Sequence, residues 1–178
     1  MQQEDISTAV TVRSTGIRFG LIGALISIAY FVILNVAQIN MSQGPWQYVG
    51  WVFTIILLVF AHKYYKENTD GFMSYGQGIG IAFWMGLISS VIASIFSYIY
   101  MKFIDQTFIE NIKQQQIEAM EQKGMSEAQI EQAMSFSAAF MNPEVMLVMG
   151  LIFGVIGAVI IGLLVTIFTQ KNNPQPGF

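Results

Sequence analysis

Few side chains in this sequence can do chemistry on a substrate. There is no cysteine and a single histidine, His62. That excludes disulfides, thiolate metal sites and a cysteine nucleophile. One imidazole without a thiolate cannot build a common transition-metal centre. His62 stands beside Lys63 at the end of an apolar run, where it reads as a helix-end residue at a membrane boundary. Met120, Met125, Met134 and Met141 offer thioethers of the kind that bind Cu(I), but they follow a helix face rather than a ligand cluster. Gly71, Gly76, Gly78 and Gly80 cluster in GFMSYGQGIG. No strand precedes them and no Lys with Ser or Thr follows, so they read as a bend leading into a helix rather than a phosphate cradle. Asp105, Glu110, Glu118, Glu121, Glu127 and Glu131 lack EF-hand spacing and read as a solvated face. No catalytic residue, cofactor or metal site is expected.

The elements that carry these residues follow from composition and charge. Hydrophobic residues make up 54% of the chain and charged residues only 11%, against about 25% in a soluble domain. The solvent of much of this chain is therefore lipid. At 178 residues there is room for one domain. The net charge of -3 and the lack of a basic stretch exclude a nucleic-acid partner. No charge falls between Arg18 and His62, between Asp70 and Lys102, or between Glu144 and Lys171. A span needs about 20 mostly apolar residues. The first gap is too long for one, and the polar turn Asn40–Pro45 divides it. The spacing predicts an all-α integral membrane protein with four transmembrane helices, at about 16–38, 46–62, 78–103 and 143–169. They form a single domain, 1–170, with a short tail at 171–178. The run from Phe19 to Leu34 is longer than a signal-peptide core, and no A-x-A-like site follows, so it reads as a retained helix. Asn142-Pro143-Glu144 supplies an N-cap, a first-position proline and a first-turn acid for the fourth span.

Orientation follows from the placement of Lys and Arg. Arg13, Arg18, Lys63, Lys66 and Lys171 fall on one side, and only Lys102, Lys113 and Lys123 on the other. Both termini are expected in the cytoplasm, with Trp46, Tyr48 and Trp51 at the outer interface. The 104–141 segment becomes an extracytoplasmic helical hairpin between the third and fourth spans. Gly124 stops its first helix, and Ser126 with Gln129 forms a capping box for its second.

Two matched ladders of small residues recur at four-residue spacing, which keeps each on one helix face. The third span carries Gly78, Ala82, Gly86, Ser90 and Ser94. The fourth carries Gly150, Gly154, Ala158, Gly162 and Thr166. The first has a shorter version, Gly16, Gly20 and Ala24. In lipid no hydrophobic force drives helices together, so close backbone approach at small residues holds them. One reading packs the third and fourth spans against each other; the other offers these faces to a partner. Ser89, Ser90, Ser94 and Ser97 make one side of the third span polar, either to line a path or to bond backbone carbonyls. The spans hold no Asp, Glu, Lys or Arg in their cores, which argues against a pump, an ion-coupled transporter or a voltage sensor.

The Gly-rich opening of the first span, GFMSYGQGIGIAF, FIDQTFIE, GMSEAQIEQAM and the final Asn-Pro-Glu occur in an order that resembles one family across about residues 12–170. These are the bacterial membrane proteins of domain of unknown function 4199. The resemblance implies a four-helix protein of the bacterial cytoplasmic (inner) membrane with no assigned activity and no catalytic residues to carry over. Genes of that family often stand near polyprenyl-phosphate glycosyltransferases, which makes such an enzyme a candidate partner.

The expected function is a non-enzymatic accessory or scaffold subunit. It would bind a membrane protein partner, or a second copy of itself, through the small-residue faces and the outer hairpin, with membrane lipids around it. The alternative is a lipid-binding or small-solute transport protein with a groove along the third span, which a closed contact between the two ladders would eliminate.

Overall fold

The computed structural model describes residues 10–39 and 44–173. Most of the expected Asn40–Pro45 turn and the end of the 171–178 tail lie outside the described residues. Four helices are long and apolar enough to cross a membrane. α1 is Val12–Val36, α2 is Trp46–Glu67, α3 is Tyr75–Ile99, and α6 is Pro143–Thr169. A one-turn π segment, Tyr100–Ile104, extends α3. Between it and α6 lie α4, Phe108–Gln122, and α5, Glu127–Ala138. The chain is a multi-pass helical membrane protein. Leu164, Ile167 and Phe168 on α6 point outward, 60%, 53% and 87% exposed, an arrangement stable only against lipid.

Local signals set most helix ends. The Ser74 hydroxyl accepts from Gln77 N while Gln77 Oε1 accepts from Ser74 N, a reciprocal cap that starts α3. Asn142 Oδ1 accepts from Glu144 N at 2.9 Å and opens α6. Gly124, at φ 75°, ends α4 in the left-handed region that glycine enters without strain. Ser126 N then donates to Gln129 Oε1 at 2.9 Å at the start of α5. Several bounds depart from the sequence reading, three of them by three residues or more at the end of the bundle away from the hairpin. α1 starts at Val12 because Thr11 and Ser14 cap each other. α2 runs on to Glu67, because Tyr65 and Lys66 find partners on the bundle. α3 begins at Tyr75, just after its cap.

α3 is the central helix. On one side it meets α6 antiparallel, with the rungs Gly78–Thr166, Ala82–Gly162, Gly86–Ala158, Ser90–Gly154 and Ser94–Gly150. A Cβ added at Gly86 would overlap the Cβ of Ala158, and one at Gly154 would overlap the Ser90 hydroxyl. On another side α3 meets α1 in parallel. Gly16 faces Trp84 and the Ile81 carbonyl, Gly20 faces Ile88, and Gly23 faces the Ser89 hydroxyl. Ser89 Oγ donates to Gly20 O at 2.8 Å. Ala24 is fully buried. Gly23, one position off the four-residue spacing, is buried beside it and also meets α3.

One end of the bundle carries α4 and α5; the other carries the start of α1, the α2–α3 turn and the end of α6. At the hairpin end, Lys102 Nζ lies 2.6 Å from Glu144 Oε1 and 2.8 Å from the Tyr98 hydroxyl, clipping α3 to the start of α6. At the opposite end, Met73 and Lys171 exchange backbone hydrogen bonds of 2.9 Å.

Because Gly86 has no room for a side chain, Gly86→Leu forces α3 and α6 apart. It should destabilise the fold by about 1–3 kcal/mol, while Gly76→Ala, where an added Cβ meets nothing within 4 Å, should be neutral or better. Reversible unfolding in mixed micelles measures both. Equal midpoints for Gly86→Leu and the native chain would rule out the tight rung.

Candidate functional site

The buried residues of α2 are Leu58, Ala61, His62 and Tyr65, all in its second half. From Trp46 to Leu57 every residue is partly or fully exposed. α2 therefore touches the bundle at the end away from the hairpin and stands off from α3 toward the hairpin. Its first half is held by fewer ties: the Tyr30 hydroxyl donates to Trp46 O at 2.6 Å, the Tyr30 and Phe53 rings meet edge on, and the Trp51 ring lies against Gly157 of α6.

That divergence leaves a cavity of about 660 Å³ among α1, α2, α3 and α6, within the usual range of ligand sites, about 300–1,000 Å³. Along α3 it runs from Met85 to Met101, about 24 Å at 1.5 Å per residue. Half the hydrocarbon thickness of a bilayer is about 15 Å. The cleft is thus long enough for a lipid chain. Ile26, Phe53, Leu57, Ala93, Leu147 and Phe153 give it apolar walls. Phe108 of α4 closes its hairpin end, stacked at 5.6 Å on Phe31 and 6.0 Å on Tyr100.

The serines of α3 do not make this cleft a polar path. Ser89 is bonded to α1, and Ser90 and Ser94 press on Gly154 and Gly150. Thr54 Oγ1 donates to Gly50 O one turn back. Ser89 and Thr54 are thus satisfied by backbone, and Ser27 and Ser97 are further hydroxyls in a lining that is otherwise mostly apolar. The ladder residues Gly86, Ser90, Ser94, Gly150, Gly154 and Ala158 border the cleft as its seam, while Gly78, Ala82, Gly162 and Thr166 are closed in below it, and Gly16 and Gly20 pack on α3. The contact between the ladder faces closes the groove along the serines of α3 and eliminates that expected path; the cleft is a different space, to one side and facing α2.

His62 corrects the sequence reading most sharply. It lies near the helix ends, beside Thr169 and the start of α3, but it is fully buried rather than interfacial, 0% exposed. Its Nε2 lies 3.1 Å from Gly78 O and its Nδ1 2.7 Å from Thr169 Oγ1. A carbonyl only accepts, so Nε2 carries the hydrogen, and the neutral ring accepts at Nδ1 from the Thr169 hydroxyl. That hydroxyl also lies 2.9 Å from Val165 O, and its single hydrogen serves one of the two. Lys66 Nζ donates to Thr169 O at 2.7 Å, covering a carbonyl that the end of α6 leaves open. Arg18 adds a bond of 2.7 Å to the Tyr64 hydroxyl and lies over its ring. This cluster fastens α2 to α3, α6 and α1 at one end, which is what lets the other end stand away.

Three spans around a central fourth, with an apolar cleft on one side, define a helical multi-pass membrane protein. The chain belongs to the family described as "Protein of unknown function (DUF4199)", which it matches over residues 18–171. No curated protein and no solved structure matches it.

His62→Ala removes two buried hydrogen bonds and opens a void where α2 is fixed. It should cost about 2–3 kcal/mol of stability, and His62→Gln, which can still bond one partner, should recover part of this. Unfolding in mixed micelles reads both. A His62→Ala variant as stable as the native chain would show that the cluster does not fasten α2.

Proposed function

We propose that this protein is a non-enzymatic binder of membrane lipids, taking one apolar chain sideways from the bilayer into the cleft between α2 and α3. The observation that carries the reading is the divergence of α2, which opens an apolar cavity inside the lipid-embedded part of the bundle. The Lys and Arg bias supports a topology with both termini in the cytoplasm. The hairpin and the half of the cleft where α2 stands away then belong to the outer leaflet of a bacterial cytoplasmic membrane. A chain entering from that leaflet exchanges one apolar surrounding for another. Its retention comes from packing contact with fixed walls rather than from the hydrophobic effect.

A second reading rests on a separate feature. Phe136 and Phe140 on and just after α5 stack on each other at 5.6 Å while 75% and 47% exposed. An exposed aromatic pair on the hairpin suits a docking site for a membrane partner, such as a polyprenyl-phosphate glycosyltransferase handling lipid-linked substrate. The ladder faces are not available for that role, because the chain's own helices fill them.

Native mass spectrometry of the chain released from nanodiscs tests the cleft. One lipid should stay bound per chain. Gly50 lines the cleft, and an added Cβ there meets nothing within 4 Å, so Gly50→Phe should fill the cavity without disturbing the fold and expel the lipid. Leu164→Phe, on the outward face of α6, should leave it bound. Equal retention by the two variants would refute the cleft as the site. The absence of cysteine also permits a clean topology test, in which an impermeant maleimide should label Gln129→Cys in intact cells; labelling only after lysis would reverse the orientation.

A further inference from the structure

A second cavity, about 1,080 Å³, lies between the end of α1 and α4. Its chemistry is unlike that of the cleft. Asn35 and Gln38 face it from α1 and its C-terminal turn, and Asn111, Gln114, Gln115 and Gln122 from α4. Its two charges, Asp105 and Lys123, are of opposite sign. Phe108 and Ile112 line both cavities, so a polar chamber and an apolar one share a wall two side chains thick. The polar chamber sits at the hairpin end, where the bilayer gives way to headgroups and water in the proposed topology.

We propose that the two chambers form one site for an amphiphile with an uncharged, hydroxyl-rich head. This rests on the lipid-binding reading of the cleft. The apolar chain lies along α3, the head lies among the amides, and Phe108 and Ile112 pack where the two parts join. A carboxamide offers a donor and an acceptor side by side, which matches the paired donor and acceptor of a sugar or polyol hydroxyl. A phosphate needs cations or clustered donors. Here the charges cancel and a single Lys sits among many amide oxygens, so an anionic head gains little. The head class is therefore a sugar or polyol carried on a lipid, in preference to a phospholipid head.

Nanodiscs of phosphatidylcholine doped equally with glucosyl-diacylglycerol and phosphatidylglycerol of the same acyl chains provide the test, read by native mass spectrometry of the full chain. The glucosyl lipid should be retained about tenfold over the phosphatidylglycerol, the effect of one or two well-made hydrogen bonds. Asn111→Leu with Gln115→Leu, both on α4 away from the spans, should abolish that preference while a lipid stays bound. Free maltose should not compete, because it lacks the chain. Equal retention of both lipids, preference for the anionic lipid, or displacement by free maltose would each overturn the joint site while leaving the cleft intact. If no lipid of any head stays bound, it is the cleft reading itself that fails.

Discussion

The close approach of α3 and α6 is the contact on which the rest of this structure depends. Five rungs, each pairing residues no larger than threonine, let two backbones meet along most of their length. In water such a seam would be modest, because Gly, Ala and Ser bury little apolar area. In lipid the comparison changes. Leucine gains nothing by leaving lipid for a helix face, whereas small residues gain dispersion contact that lipid chains cannot supply as densely. The glycines of α1 repeat the device on another side of α3. The central helix is thus fixed twice by close approach, and α2 is left as the one span held by side chains.

That asymmetry produces the cleft. α2 has no small-residue ladder, and bulky Trp46, Trp51 and Phe53 occupy its first half. It is fastened most firmly where His62, Tyr65 and Lys66 reach their partners, and toward the hairpin it stands away from α3, touching α1 and α6 through Trp46, Phe53 and Trp51. A buried imidazole bonded on both nitrogens is a directional tie, specifying angle as well as contact, and it is the only polar side chain of α2 that is fully buried. Polar fastening at one end and bulk at the other splay the helix, and an apolar cavity is the consequence. The hairpin then closes the end of that cavity with Phe108, so α4 borders the candidate site as well as joining two spans.

Much of this was legible in the sequence. The gaps between charges gave the spans, since a charge inside one is costly, and the four-residue spacing of Gly, Ala, Ser and Thr marked the faces of α3 and α6 that meet. The reciprocal signals at Asn142, Gly124 and Ser126 act within a few residues, so local chemistry reveals them. The partner of His62 did not emerge, because Thr169 is 107 positions away and nothing local distinguishes a buried histidine from one at the membrane edge. The cleft was hidden for a related reason. A cavity is an absence of contact, set by how α2 leans, and its serines look alike in sequence whether they line a path or bond a neighbouring backbone. That Gly23 joins Ala24 in the α1 seam is a matter of crossing angle, which residue spacing on one helix does not contain.

The central claim is that a lipid chain lies inside the bundle against α3, not only around it. Photo-crosslinking measures this directly, using a phospholipid with a diazirine at the end of one acyl chain, purification in a detergent that strips surrounding lipid, and peptide mapping. The predicted result is label on Leu57, Ala93 and Leu147, the walls of the cleft. Label confined to outward residues such as Leu164 and Phe168 would contradict it.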